Sequence, residues 1–409
     1  MGLLRFFSVL LLGLSGARAV ALDWEFALDT RVVAADATPS FLDGGLGKFR
    51  YDDKFSAHLG RARLGLLQHV GDTIDLHLQA SAWGDSNRNP IDLDEAYAEY
   101  RPYPHGAWRT RLRGGVFYAP ISLENRAAGW ETPYTINPSA LNTWIGEEIR
   151  SVGFEGQLDW LGTQTGSSVD AGLVAGVFGW NDPAGVLIAS HGFGLHDRQT
   201  SVFGRVGLTT AAPVQNRVLF REIDHRAGYY GGFKLRYLDR VELRALHYNN
   251  NADPAIFDPV INDYAWCTIF DSAGLRVESQ RGWTFMTQWL DGVTYIEPEG
   301  MLFKWKYRSA FALLSKELGD HRVSVRVENF HVWETANAFG PGLATDDGTA
   351  WTIAYSYAPA SPWRFAAELT RVRSDNPGRF DLLGSAPIAT ESKLELSIRY
   401  TFNGALHAP

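Results

Sequence analysis

The sequence has one cysteine, Cys267, among 409 residues. A lone cysteine excludes an intramolecular disulfide framework and any zinc or iron–sulfur site built from several thiolates. Charged residues are also scarce, at 21%, and the formal net charge is −8, with no basic domain of the kind that binds nucleic acid. Hydrophobic residues make up 45% of the chain, which excludes a disordered protein.

Motifs for hydrolysis, metal binding and phosphate binding are missing too. We find no G-x-S-x-G nucleophile motif after residue 21 and no H-E-x-x-H zinc motif. The glycine-rich Gly44–Lys48 stretch is not a phosphate-binding loop, because Leu42 stands where the first glycine is needed and Phe49 replaces Ser or Thr. The sequence therefore predicts no enzymatic activity, no cofactor and no metal.

Residues 1–21 have the pattern of a secretory signal peptide. Arg5 supplies the positive start, Phe6–Leu14 the apolar core and Ala17–Ala21 the small residues of a cleavage site. The pattern predicts cleavage before Leu22 and one domain over residues 22–409. After the signal, no apolar run approaches the roughly 18 residues that a transmembrane helix needs, so a membrane span would require a closed β-barrel.

Apolar and polar residues alternate with a period of two along the chain. At the C-terminal end, Leu394, Leu396 and Ile398 share one face while Glu395 and Ser397 share the other. Similar segments recur throughout and have about the 9–11 residues of a tilted transmembrane strand. The alternation predicts an all-β fold, a transmembrane antiparallel barrel.

The connections between predicted strands come in two alternating sizes, which is typical of barrels with short periplasmic turns and long extracellular loops. We place about eighteen strands, an even number because both ends of the chain then lie on the periplasmic side. The weakest strand is 214–222, and leaving it out with one neighbour gives sixteen. The short connections are 70–72, 102–106, 238–240, 318–320 and 359–362. The long connections are 34–54, 119–147, 181–198, 249–264, 334–349 and 375–391.

Several predicted strands carry rows of basic residues on one face. Turning a Lys or Arg toward lipid at the bilayer midplane costs about 2–4 kcal/mol, so a row of three would cost as much as a whole domain gains by folding. We therefore expect these rows to face the lumen and attract anions. The rows are Arg61 and Arg63; Arg109, Arg111 and Arg113; Lys304, Lys306 and Arg308; and Arg322 and Arg326.

Acidic residues leave a second interpretation of the lumen open. Glu95 and Glu99 lie on the strand before Arg109, and a hairpin through residues 102–106 places them opposite the arginines. Paired in this way, the charges would give a balanced and weakly selective lumen instead of an anion-attracting one.

The 119–147 connection is longer than a turn requires and mixes apolar anchors with charges. Long loops of this kind are usually functional. We hypothesise that it folds into the barrel and narrows the pore, the alternative being a cap on the outside. The residues expected to form the constriction are Glu124, Arg126, Trp130 and Tyr134.

Two consecutive stretches resemble the phosphate-selective porin O/P family. They are Leu93–Tyr100 and Arg109–Glu124, the second ending in Pro-Ile-Ser-Leu-Glu, and the resemblance is best over about residues 55–160. It implies an outer-membrane homotrimer that passes anions through a pore lined by arginine and lysine, with Arg109, Arg111 and Arg113 among them. The sequence lacks a dense basic cluster that would by itself demand phosphate.

Taken together, these features predict a bacterial outer-membrane porin for small hydrophilic solutes, with a preference for phosphate-like anions. Its expected partners are outer-membrane lipid, small anionic or polar solutes and two further copies of the chain, and no nucleic acid. The alternative is an outer-membrane barrel enzyme or receptor without general pore activity.

Overall fold

The computed structural model describes residues 19–85, 91–208, 215–338, 345–359 and 362–407. Sixteen strands in these ranges form one closed antiparallel barrel, in which each strand pairs with the barrel strands before and after it. The barrel strands are β1 Ala19–Asp36, β2 Ser56–Val70, β3 Ile74–Ala82, β4 Ile91–Tyr100, β5 Trp108–Phe117, β6 Ser151–Trp160, β7 Val169–Gly179, β10 Gly228–Tyr237, β11 Val241–Asn249, β14 Cys267–Glu278, β15 Trp283–Ile296, β16 Phe303–Leu318, β17 His321–Ala336, β18 Asp346–Tyr357, β19 Trp363–Asp375 and β20 Ile388–His407.

The first and last strands close the barrel. β1 and β20 run antiparallel over almost their whole length, with Phe26 opposite Phe402. Closure leaves no row of unpaired backbone groups at a sheet edge, which is the condition for strands to cross a bilayer. Within the described residues, none of the helices is long and apolar enough to span a membrane.

The period-two alternation becomes an apolar outer surface and a polar inner wall, as the sequence predicts. On β20, Leu394, Leu396 and Ile398 are exposed on the outside, whereas Glu395 and Ser397 are buried on the inside. The same division holds on β18 between outward Ile353 and inward residues. The outer belt matches a hydrocarbon environment, and the inner wall matches a polar lumen.

The barrel has sixteen strands and not the eighteen first expected. The described part of the weak segment, residues 215–222, lies outside the barrel: Gln215–Val218 (β9) pairs with Arg205–Leu208 (β8) in a separate two-stranded sheet. A second small sheet joins Phe257–Asp258 (β12) to Asp263–Tyr264 (β13). Both belong to long connections, where local hairpins need no register with the barrel wall.

The connections sort to two ends of the barrel. Tight links join β2 to β3, β10 to β11 and β16 to β17 at one end, which we call the short-turn end. The connections from β1 to β2, β5 to β6 and β7 to β10 lie at the other end, which we call the long-loop end. The six-residue link between β15 and β16 is short although it lies at the long-loop end. With an even number of strands, both termini lie at the short-turn end.

The predicted signal peptide lies mostly outside the described residues. β1 begins at Ala19, so the last three residues of the 1–21 segment continue the strand that follows. Cleavage before Leu22 stays a prediction.

Two long connections fold back into the barrel and fill much of its interior. We call residues 119–149 and 181–196 the plug. It contains a helix, Ala140–Glu148, whose residues are all buried and whose first turn is capped by the Ser139 hydroxyl. Trp144 of this helix packs against Phe270 and Tyr307 of the wall, with ring centroids 5.4 and 4.9 Å away. The long-loop half of the interior is therefore largely an apolar core.

Candidate pore and its charged walls

The arginine row of β5 points into the barrel. Trp108 and Leu112 lie on the outer surface, 50% and 47% exposed. The alternate positions, Arg109, Arg111 and Arg113, face β6 carboxylates on the inner wall. An inward orientation avoids the free-energy cost of exposing an arginine to lipid, as the sequence analysis predicts.

These arginines line an open cavity at the short-turn end, which we call the vestibule. It has a volume of about 310 Å³. Among the described residues that line it are five cationic side chains and one carboxylate, that of Asp159. The cations are Arg101, Arg109, Arg111, Lys234 and Arg244.

Most vestibule cations have acidic partners, so the pairing that the sequence suggested is present. Arg109 Nη2 lies 2.8 Å from Asp159, and Lys234 Nζ lies 3.2 Å from the same carboxylate. Arg111 lies 3.7 Å from Glu99, whose strand register places it opposite Arg113. The lumen is therefore not a bare basic surface.

In each vestibule ion pair the cation is more exposed to solvent than its carboxylate partner. The five vestibule cations are 20–55% exposed, whereas their carboxylate partners are 1–12% exposed. The acids lie against the wall, and the guanidinium and ammonium groups cover them. A solute in the vestibule thus meets mainly positive charge, because the nearer charges dominate the local field.

A second group of charges lines the opposite part of the wall. Arg61 lies 3.0 Å from Asp94 and 3.3 Å from Glu131, and Arg63 pairs with Glu25. Burial alone would raise the pKa of Glu131, but Arg399, Arg61 and Arg63 together hold it below its usual range. The plug residue Glu131 is therefore an ionised link between the plug and the basic wall.

Three further arginines of this wall escaped the sequence analysis. Arg31 lies 2.6 Å from Asp29, Arg399 lies 2.7 Å from the same carboxylate, and Arg364 stands opposite Arg399 in the strand register. Each is the only arginine or lysine on its stretch of the inward face, with no other two residues away, so none of them forms a row. Strand parity alone, applied to isolated residues, would have found them.

The four residues predicted to form a constriction all lie in the part of the plug that crosses the barrel. Glu124 is buried and forms an ion pair with Arg326 of β17 at 2.8 Å. Arg126 forms an ion pair with Glu242 of β11, also at 2.8 Å. Trp130 stacks on Tyr118, with centroids 4.5 Å apart. The Tyr134 hydroxyl accepts a hydrogen bond from Arg276 of β14 at 3.2 Å. The segment is thus fastened to several strands and is not an external cap.

The two basic residues of β17 face inward. Arg326 is fully buried and lies 2.8 Å from both Glu124 and Glu328. Arg322 is partly exposed at the short-turn end and lies over the Tyr134 ring, 5.2 Å from its centroid. The Arg326 guanidinium is buried in ion pairs with Glu124 of the plug and Glu328 of the wall. It therefore holds the plug to the wall and is not exposed to a solute in the lumen.

The prediction that Lys304, Lys306 and Arg308 face the lumen is wrong. Their neighbours Trp305 and Tyr307 are buried in the apolar core around the plug, which turns the basic residues to the outside. The free-energy cost of turning Lys or Arg toward lipid applies at the bilayer midplane. This row lies at the long-loop end of β16, away from the midplane. There an outward cation can reach water and headgroups.

Two clusters of the described residues bring potential metal ligands together. In each, the ligand atoms lie within 4.8 Å of one another. In the first, Asp75–His77–Glu99, the carboxylates already pair with Arg101. In the second, Asp182–Glu222–Asp224, Asp182 accepts hydrogen bonds from two backbone N–H groups. The acids of both clusters thus already have hydrogen-bond or ion-pair partners in the protein.

The chain matches no protein-family model and no curated protein sequence. The kinship with the phosphate-selective porin O/P family therefore stays a prediction.

Solved structures do match it over nearly its whole length. The outer membrane channel DcaP of Acinetobacter baumannii has a TM-score of 0.56 at 12% identity, covering 94% of this chain and 99% of that one. OmpT, an outer membrane protein of Vibrio cholerae, in its trimer form, scores 0.53 at 11% identity, with 94% and 100% covered. An anion-selective porin from Comamonas acidovorans scores 0.50 at 11% identity, with 93% and 99% covered.

The similarity to these structures lies in the barrel. At such low identity it shows a shared fold, that of bacterial outer-membrane β-barrels. The apolar outer belt and the closed strand order of this chain agree with it.

Proposed function

We propose that the protein is an outer-membrane porin that prefers small anions. The observation that carries the proposal is the vestibule, where five cations and one carboxylate line a cavity open to solute. Lumen-facing arginine and lysine are an ordinary basis of anion selectivity in pores. The named anion selectivity of the Comamonas porin supports the same class of function for this barrel.

We further propose that the path is narrow. The plug occupies the long-loop half of the interior with buried side chains, and the cavity between Arg31, Arg61, Glu131 and Arg399 has a volume of only about 20 Å³. A space of this size holds about one water molecule. A path this narrow favours small anions over large nutrients.

The test is the ion selectivity of a double variant, Arg109→Gln with Arg111→Gln, in planar lipid bilayers under a salt gradient. These two side chains are well exposed in the vestibule, and neither forms the plug contacts. The anion-to-cation permeability ratio should fall, since neutral amides remove the positive field but keep polar side chains.

The matched control is Arg281→Gln with Lys316→Gln. It removes the same charge at the same end of the barrel, but from the outside, where Lys316 donates to the Arg281 carbonyl and lies 5.1 Å from the centre of the Trp283 ring. Its permeability ratio should equal that of the parent protein. Equal ratios in both double variants would contradict the vestibule as the origin of selectivity.

The barrel is also proposed to assemble as a homotrimer. The Vibrio protein is described in a trimer form, and its barrel covers nearly all of this chain. Light scattering in detergent with the detergent mass subtracted should give three chains per particle. A monomer mass in mild detergent, with an unboiled gel band that still marks a folded barrel, would contradict the assembly alone.

A further inference from the structure

We propose that the outer surface at the long-loop end of β16 and β19 binds phosphate-bearing headgroups of membrane lipids. The surface is formed by two basic rows, which we call the cationic rim: Lys304, Lys306 and Arg308 on β16, and Arg371 and Arg373 on β19. The rim faces away from the lumen, so lipid binding there does not depend on whether the barrel conducts ions.

The rim begins where the apolar belt ends. On β19, Phe365 and Leu369 point outward in the belt, and the next outward positions toward the long-loop end are Arg371 and Arg373. On β16 the outward Leu314 is followed in the same direction by Ala312 and Ala310 and then by Arg308. The cations therefore lie beside the headgroup layer, where a long basic side chain remains solvated.

Most of the rim charge has no acidic partner among the residues that the structure describes. Arg308 pairs with Asp291 at 2.6 Å. Within the described ranges, no carboxylate forms an ion pair with Lys306, Arg371 or Arg373. Cations that are exposed beside the headgroup layer attract anionic lipid headgroups, and each cation adds to the free energy of lipid binding.

The two rows flank a groove. β17 and β18 lie between them, so three strand spacings separate the rows by about 14 Å. The groove has a volume of about 520 Å³, and Arg308, His331 and Trp333 form part of its lining. Tryptophan is enriched at the membrane interface because its ring is amphipathic.

Three carboxylates line the groove and set the position of the phosphate: Asp346, which pairs with Lys48, and the exposed Asp347 and Asp375. Asp347 pairs with His331 at 3.1 Å, and Asp375 lies opposite Asp347 in the strand register. They would repel a phosphate between them. We therefore assign phosphate binding to the flanking cations, with one site at Lys306 and a second at Arg371 and Arg373, each beside the groove and not inside it.

The experiment compares two spin-labelled probes in vesicles of phosphatidylcholine that hold the folded protein. Electron paramagnetic resonance gives the association of labelled phosphatidic acid with the barrel relative to labelled phosphatidylcholine. The parent protein should prefer phosphatidic acid. The variants Lys304→Gln/Lys306→Gln/Arg308→Gln and Arg371→Gln/Arg373→Gln should each lose this preference, by about fivefold for each cation whose contact is removed.

Lys316→Gln is the control for the β16 variant, because Lys316 also faces outward on β16 but lies outside the rim. Lys316 lies at the short-turn end and is engaged by the Arg281 carbonyl and the Trp283 ring. It should leave the preference unchanged. The heat-modifiable gel mobility of each variant verifies that it is folded. A parent protein without preference, or folded rim variants that keep it, would overturn the proposal.

Discussion

At the scale of the residue, buried charges inside the barrel are stable because they are paired. Arg326 shows this most clearly: it is fully buried, lies 2.8 Å from two buried carboxylates and donates to the Pro138 carbonyl at 3.0 Å. Removing one partner of such a pair leaves a charge that neither water nor protein satisfies. Arg326 therefore joins the plug to the wall.

We expect Arg326→Met to destabilise the folded barrel by about 3–5 kcal/mol, because Glu124 and Glu328 lose their buried cation. The measurement is thermal unfolding in detergent followed by circular dichroism. The control is Arg308→Met, whose ion pair with Asp291 is exposed and should cost at most about 1 kcal/mol. A similar loss in both variants would show that Arg326 does not fasten the plug.

Glu148 is a buried acid of a different kind. It accepts hydrogen bonds from the backbone N–H groups of Gly185 and Leu187, at 3.1 and 2.7 Å, and from the Trp144 indole. Burial raises its pKa to about 8, although these donors favour the charged form. The unfolded carboxyl titrates near 4.3. Between these values the folded state holds a proton that the unfolded state has lost, so stability falls as pH rises and levels off above about 8.

Replacing Glu148 by Gln should flatten this pH dependence, since an amide does not titrate. Thermal unfolding of parent and variant at several pH values between about 5 and 9 gives the slopes. Part of the slope should remain, because burial also raises the pKa of Asp182, to about 7. An identical slope in the variant would show that Glu148 keeps its ordinary titration in the folded barrel.

At the scale of the element, strand parity predicts most of the wall but not every face. It places Arg109 and Arg326 inside correctly, because their outward neighbours meet lipid. On β16 it fails, because Trp305 and Tyr307 find an apolar environment inside the barrel. Only the folded plug creates that environment, and no local pattern in residues 303–308 reveals it. The first strand count is too high because it includes the poorly alternating segment 214–222, of which β9 belongs to a connection and not to the barrel wall.

The crossing segment of the plug should limit conduction. We expect replacement of residues 126–138 by a short Gly-Ser linker to raise the single-channel conductance, because the segment spans the lumen from Glu242 to Arg399. The control places the same linker at 258–262, a loop tip where Val260 is exposed, and should leave conductance unchanged. Unchanged conductance in the plug variant itself would contradict a constriction.

At the scale of the whole molecule, the net charge of −8 conceals an unequal distribution. In the vestibule the acids are buried behind cations, so the surface that a solute meets is positive while the chain as a whole is acidic. Composition excludes an intramolecular disulfide and argues against nucleic-acid binding, but it does not show which charges are covered by others. That depends on the register between β5 and β6 and on how the plug is folded.

The mature protein should begin at Leu22. N-terminal sequencing of the barrel extracted from outer membranes tests this, and it should find Leu22 because the segment before it has the signal pattern. β1 would then lose only its first three residues, which precede the Leu22–Leu406 pair with β20. A start at Met1 would contradict the signal peptide without affecting the fold.

The central claim is that solutes meet a positive vestibule, and the reversal potential of the unmodified protein tests it most directly. With potassium chloride at unequal concentrations across a planar bilayer, the account predicts a potential whose sign shows chloride to be more permeant than potassium. A potential that favours potassium, or none at all across open channels, would contradict it.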